Sequence, residues 1–284
     1  MAENNFSLQK TLTMLLDEKK YHSLRDILST MNPADIAAIF DDLDQACLPL
    51  LFRLLPKELA AETFVEMEPE AQELLIRGFS DSELKEVIDE LYVDDAVDIV
   101  EEMPANVVQR ILSQAEPDMR KQINEILRYP EDSAGSIMTT EYVSLRPNMT
   151  VEEAILRIRR TGIDKETIYT CYVTRGHKLI GLTSVKDLLL CEDDDATIES
   201  IMQEHVITVS TLDDKEQVAQ MFSKYNFLAL PVVDTEDRLV GIVTFDDAMD
   251  VMEDEATEDM EKMAAMLPSE HPYMRSTPID VSTT

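Results

Sequence analysis

The stretch LPVVDTEDRLVGIVTFDDAMDVMEDEATEDMEKM, Leu230 to Met263, decides how the chain is read. It opens on an apolar run, turns at the charged DTED and resumes as LVGIVT, the pattern of a strand hairpin. From Asp246 the spacing becomes helical. With Asp247 set at zero and about 100° per residue, Asp250, Asp254, Glu258 and Glu261 fall within about 60° of it. Phe245, Met249, Met252, Ala256, Met260, Met263 and Leu267 take the opposite side. A two-faced helix running to Met266 is predicted, its methionine face packed on a neighbour or on a second copy. The acidic face needs its own account, because nine carboxylates between Gly241 and Met263 meet a single base, Lys262. Two carboxylates ~5 Å apart repel by about 3 kcal/mol at a surface dielectric near ~20. If another acidic surface approaches, several such pairs rival the ~5.5 kcal/mol that inverts a two-state equilibrium. Hard divalent cations, whose usual protein ligands are carboxylates, remove that barrier. Mg2+ keeps several waters and takes one or two carboxylates per ion, so scattered acids suit it. The calcium-loop pattern D-x-[DN]-x-[DN]-G is absent from the sequence.

Working outward, the hairpin and helix have a twin. IMTTEYVSLRPNMTVEEAILRIRR matches IMQEHVITVSTLDDKEQVAQMFSK, and YVTRGHKLIGLTSVKDLL matches VVDTEDRLVGIVTFDDAM. Extra residues in the first copy lie between these blocks, in RTGIDKETIYTC. Each copy reads as β–α–β–β–α with helices on one sheet face, which predicts a pseudo-twofold pair over 136–200 and 201–252. The acidic helix spans 246–267, overlapping the end of the second copy, and a tail follows over 268–284. Before the pair, residues 31–130 repeat a shorter unit: MNPADIAAIFDDL, LPKELAAETFVEM, EPEAQELLIRGF, SDSELKEVIDEL, VDDAVDIVEEM, PANVVQRIL and EPDMRKQINEIL. Proline suits a first helical turn, and Asp or Ser caps its free amides. Helices of two to three turns cannot bury their faces alone and must stack, here as a superhelical array. One longer helix, from about Ser7 to Thr30, is expected ahead of it, so residues 1–30 form their own segment. The fold class is α+β, multidomain.

Composition narrows the function. The formal net charge is −33, and residues 1–130 share it almost equally with the remainder. Such a field repels phosphates and anionic head groups, which excludes nucleic acid as a partner. Cys47, Cys171 and Cys191 are odd in number and far apart, so neither a disulfide framework nor a zinc site is indicated. No run approaches ~20 apolar residues, and MAENNFSLQK lacks the form of a signal peptide. A soluble chain in a reducing compartment is expected. His22, His177, His205 and His271 show no metal-ligand spacing, and the sequence has no P-loop or dinucleotide glycine pattern. The chain reads as a non-enzyme.

The helical array, the paired repeat and above all the run DD-x-x-D-V-x-x-x-E-A-T-E-D resemble the cytosolic part of the MgtE family of magnesium transporters, over nearly the whole chain. In that family an N-terminal helical domain, a tandem of CBS domains and a connecting helix form a dimeric magnesium sensor beneath a membrane pore. The resemblance implies that Asp247, Asp250, Glu255, Glu258 and Asp259 are metal-binding acids. It adds Asp214 and Glu216 at the start of a helix in the second copy, and Glu62, Asp94 and Asp98 on the array. Asn226 stands where the family pattern carries an acid, so it offers an uncharged amide oxygen. The chain stops where the family's pore domain follows, so a sensor fragment unable to conduct ions is expected. The full-length protein would sit at the cytoplasmic face of the cell membrane, its subunits paired through CBS domains and connecting helix.

Two other readings stay open. CBS pairs are also sensors of ATP or another adenosine nucleotide. Ser184 with Asp187, and Thr244 with Asp247, pair a hydroxyl and a carboxylate three apart that could hold a ribose, and Phe227 could stack on a base. The same hydroxyls could simply cap the following helices. Alternatively, the array is an acidic solenoid scaffold that recruits a basic protein.

Overall fold

The computed structural model describes residues 11–41, 43 and 45–266. The expected helix start at Ser7, the tail 268–284, Leu267 and the side chains of Glu261 and Met263 lie outside the described residues.

The described part of residues 11–126 is built of helices and short connections, with no strand among the described residues there. Helix α1 covers 11–17, followed by α2 (Tyr21–Leu28), α3 (Pro33–Asp41), α4 (Leu48–Phe52), α5 (Lys57–Val65) and α6 (Pro69–Gly78). Then come α7 (Asp81–Ile88), α8 (Val93–Glu102), α9 (Ala105–Gln114) and α10 (Pro117–Ile126). The single long helix expected over Ser7–Thr30 is two helices. The chain breaks between α1 and α2, where Lys19 adopts φ 58°, a left-handed conformation that no helix continues through. The short α4 matches none of the repeating units; its five residues are apolar apart from the turn-forming Pro49, and they carry no period to read. The other units coincide with α3 and α5 to α10, and prolines open or flank α3, α4, α5, α6, α9 and α10. Helices pack on the next but one, α3 on α5, α5 on α7, α7 on α9 and α8 on α10, as in a superhelical stack. One continuous core runs through the stack, from Leu12 through Phe40, Phe64, Leu75 and Val97 to Ile126.

The remainder forms two similar units. The first comprises β1 (Tyr142–Leu145), α11 (Val151–Thr161), β2 (Thr167–Arg175), β3 (Lys178–Ser184) and α12 (Val185–Leu190). A short α13 (Ile198–Ile201) leads into β4 (Val209–Ser210), α14 (Lys215–Tyr225), β5 (Ala229–Val233), β6 (Leu239–Thr244) and α15 (Phe245–Met266). Each sheet has three strands, the first two parallel and the last two antiparallel.

The units exchange their leading segments. Thr139, ahead of the first unit, trades backbone hydrogen bonds of 2.8 and 2.9 Å with Ile242 of the second. Gln203, ahead of the second, trades bonds of 2.8 and 3.0 Å with Leu182 of the first. Both contacts require glycine. A Cβ at Gly241 would lie 2.6 Å from Met138 Sδ and 2.8 Å from the Thr139 carbonyl, and one at Gly181 would lie 2.6 Å from Met202 Sδ and 3.0 Å from the Gln203 carbonyl. Tyr172, Ala229, Leu239 and Ile242 fill the seam between the sheets.

Candidate functional site

The α8 and α15 faces meet across a cleft of about 400 Å³. Its position follows from local sequence. In VDDAVDIVEE the apolar Val93, Ala96, Val97, Ile99 and Val100 point into the array, which leaves Asp94, Asp98, Glu101 and Glu102 to face outward. On α15 the buried Ala248 and Val251 dock the helix on the second sheet, turning Asp247, Asp250 and Asp254 toward α8. With Glu131, eight carboxylates line the cleft, and Lys215 is the only base among its lining residues.

The electrostatic consequence is plain beside a carboxylate with partners. Glu83 accepts a hydrogen bond of 2.6 Å from Arg53 and caps α7 through Ser80, and these contacts lower its pKa to about 2. In the cleft the sign reverses. Burial first, then the field of Asp247, pushes Asp95 and Asp98 up to about 7. Asp247 rises to about 6 through burial, although hydrogen bonding to Thr244 pulls the other way. Asp94 rises well above the carboxylate range for the same reasons as Asp98. It is 6% exposed, and its Oδ1 has no hydrogen-bond partner. A buried acceptor with no donor and a set of hard oxygen ligands are the conditions a divalent cation satisfies, and the residues fit one.

Of the acids assigned from the sequence, Asp94, Asp98, Asp247 and Asp250 come together here. A second group forms between α14 and α15, where exposed Glu216 shares a hydrogen bond with Glu255 and feels the charges of Asp214 and Glu258. Asp214 also caps α14, accepting from Gln217 N–H at 3.0 Å. Glu62 is exposed on α5 and absent from the cleft lining; the charge that reaches Asp250 from that side is Glu66. Asp259 is exposed, and its charge reaches Lys262. Asn226 ends α14 in the left-handed conformation, φ 55° and ψ 44°, a C-terminal position that asparagine tolerates better than most residues.

Both hydroxyls bond the carboxylate three residues on. Ser184 and Asp187 form a reciprocal capping box on α12. Thr244 Oγ1 donates to Asp247 Oδ2 at 2.5 Å. Phe227 packs half-buried against Phe222 and Tyr225, with ring centroids 6.5 and 5.4 Å away.

Sequence reasoning missed Glu101, Glu102 and Glu131 in the cleft, Asp95 in the field of Asp247 and, beyond Asp94, Glu141 and Glu166. The α8 acids were within reach, since VDDAVDIVEE puts Glu101 and Glu102 one turn past Asp98. Glu141 and Glu166 were not, because only strand pairing brings them together.

The family model for the MgtE intracellular N domain matches residues 31–132, and that for the CBS domain matches 134–192 and 198–254. The magnesium transporter MgtE of Thermus thermophilus is 38% identical over 277 residues, covering 96% of this chain and 61% of that protein. The magnesium transporter MgtE of Bacillus subtilis is 32% identical over 255 residues, covering 89% of this chain and 56% of that protein. The chain therefore spans about three-fifths of the length of these relatives. A crystal structure of the cytosolic domain of the Mg2+ channel MgtE in complex with ATP superposes with TM-score 0.80 at 38% identity, over 86% of this chain and 99% of that one. A crystal structure of the soluble part of a magnesium transporter superposes with TM-score 0.80 at 33% identity, over 90% of this chain and all of the other. Helical array, paired repeat and solved relatives agree: the chain belongs to the MgtE family, of which it carries the intracellular N domain and the CBS pair.

Proposed function

We propose that the chain is the cytosolic Mg2+-sensing and gating region of a magnesium transporter. The observation that carries this reading is the cleft itself, where eight carboxylates, with Asp94 buried and Asp247 half-buried among them, face one another around a single lysine. A bound hard divalent cation supplies the positive charge the cleft lacks. Asp94 and Asp98 on α8 and Asp247 and Asp250 on α15 would hold it, with Glu216 and Glu255 as a second, exposed pair. Without that charge the α8 and α15 carboxylates repel, the compact arrangement loses stability, and α15 is free to move away from the array. The cation acts by binding one arrangement better than the other.

The relatives are longer than this chain, and we assign the membrane pore to the part they add. In the whole protein α15 then links the sensor to that pore, at the cytoplasmic face of the membrane. Subunit pairing through the CBS domains and α15 is supported by an apolar stripe on that helix, where Phe245 is 44%, Met249 47% and Met260 72% exposed. Hydrogen exchange tests the sensor reading: amides of α8 and α15 should be protected in Mg2+ and exchange faster in EDTA. Equal exchange in both conditions would remove it.

A second reading rests on the relative solved with ATP. An adenosine nucleotide could stack on Phe227 and reach Thr244 and Asp247. A ribose hydroxyl there would share the Asp247 carboxylate with Thr244. Titration with ATP should show binding that Phe227→Ala abolishes; unchanged binding in that variant would place the nucleotide elsewhere.

A further inference from the structure

Asp94 also meets carboxylates that come from the first CBS copy. One oxygen each from Asp94, Glu141 and Glu166 lies within 4.8 Å of the other two. Glu141 precedes β1 and Glu166 precedes β2, and the parallel pairing of Tyr142 with Thr167 sets them side by side. The Glu166 N–H donates to the Glu141 carbonyl at 3.0 Å, which fixes the pair. Glu141 also reaches across the domain boundary, where its Oε2 accepts from the Val93 N–H at 3.1 Å and so caps the first turn of α8. Two oxygens of the group are left unsatisfied. Asp94 Oδ1 and Glu166 Oε2 are buried and without a hydrogen-bond partner. Lys165 is the one base whose field reaches Glu141.

We infer that Asp94, Glu141 and Glu166 form a second divalent-cation site, which ties the first CBS copy to α8 as the cleft ties the second copy. The donor set is all hard oxygen with neither nitrogen nor sulfur, which selects Mg2+ or Mn2+ over zinc or copper. Oxygens around Mg2+, at about 2.0 to 2.1 Å, sit no more than roughly 4 Å apart, so a group already within 4.8 Å needs only a small closure to hold one. The second repeat has no counterpart to Glu166, because that residue lies in the stretch by which the first copy is longer. In the sheet, Ile168, Tyr169 and Thr170 are interposed between the pairings of Thr167 with Tyr142 and Cys171 with Val143. This bulge marks where the first copy departs from its twin, and Glu166 stands at its edge against the array. Asp94 then belongs to both sites, so one helical turn joins both copies to the array.

The inference rests on the reading of the chain as a divalent-cation sensor, and the test separates the two. Crystals of the 284-residue chain grown with Mn2+ should give an anomalous peak within coordination distance of Glu141 and Glu166, besides peaks in the α8–α15 cleft. Glu166→Gln should abolish the first peak and keep the cleft peaks, and the bound Mn2+ counted by electron paramagnetic resonance should fall by one ion per chain. Asp250→Asn should have the opposite pattern. Cleft peaks with nothing at Glu141 and Glu166 in the wild type, or a peak that survives Glu166→Gln, overturn the inference and leave the sensor reading standing. Absence of Mn2+ from both places overturns both. Should Glu166→Gln not fold, Glu141→Gln tests the same peak, and the wild-type map decides by itself.

Discussion

The two CBS copies share their strand order, their exchanged leading segments and a hydroxyl–carboxylate pair at the start of the last helix. They part at that helix. In the first copy α12 ends after six residues, whereas in the second α15 runs for 22 and carries the acids. The preceding helices differ in the same sense: α11 ends with Arg157, Arg159 and Arg160, where α14 offers Met221, Ser223 and Lys224. The same Asp at the third helical position therefore has two fates. Asp187 is an exposed cap, while Asp247 is half-buried facing α8, where loss of solvent raises its pKa to about 6. Duplication supplied the scaffold, and charge placed against the helical array gave one copy the acidic face proposed as the switch.

That contrast can be broken most severely at the shared residues. Asp94→Asn combined with Asp247→Asn removes two repelling charges and the central ligands. The compact form should then persist in EDTA, with any remaining Mg2+ response needing at least ~10-fold more metal, about 1.4 kcal/mol of lost coupling. Hydrogen exchange of α8 checks it; a wild-type metal response would show that the cleft is not the sensor. Asp187→Asn, at the twin position, should cost only a helix cap, ~1 kcal/mol or less.

The symmetric feature should respond symmetrically. Gly241→Ala and Gly181→Ala each push a methyl into a methionine sulfur and a backbone carbonyl, so each should lower stability by about 1 to 3 kcal/mol, as overpacking does. Urea denaturation measures both. One harmless and one harmful substitution would show that the exchanged segments are not equivalent.

Protons should imitate the metal. Folded-state pKa values of about 7 for Asp95 and Asp98 and about 6 for Asp247 stand above the ~3.9 of an unfolded chain. Such raised groups contribute stability below pH ~4 that is lost as pH rises through about 6 to 7. In EDTA the melting temperature should therefore fall from pH 5 to about pH 7, each group taking at most ~1.4 kcal/mol of stability per pH unit inside its window, and exposed Asp98 less because solvent screens it. Saturating Mg2+ should flatten the profile. A melting temperature that climbs with pH in EDTA would contradict the reversed sign of these carboxylates. The smallest effect belongs to Glu62→Gln, which lies outside the cleft and should leave the Mg2+ midpoint within about twofold of the wild type.

Most of the architecture was legible because it is periodic. The units that became α3 and α5 to α10 announce themselves by proline and apolar spacing, and α15 continues helical to Met266, the last described residue. The offsets between repeat blocks exposed the duplication. What could not be read was any feature set by contact. The break at Lys19 depends on one positive φ inside an otherwise helical composition, and α4 is too short to show a period. The cleft was half visible: VDDAVD and FDDAMD gave its two rows of acids, but not that Glu62 falls outside it. Glu141 and Glu166 were invisible, being 25 residues apart and joined only by strand register.

The central claim is that acidic surfaces from the helical array and the second CBS copy stay together only when a divalent cation, or protons, offset their charge. Small-angle scattering of the wild-type chain, from excess EDTA to ~10 mM Mg2+ at pH 8, tests it most directly, because weak carboxylate sites fill in that range. The radius of gyration should be larger in EDTA and contract through a single transition as Mg2+ rises, and the Asp94→Asn, Asp247→Asn chain should be compact throughout. An identical radius for the wild type at every Mg2+ concentration would contradict the account.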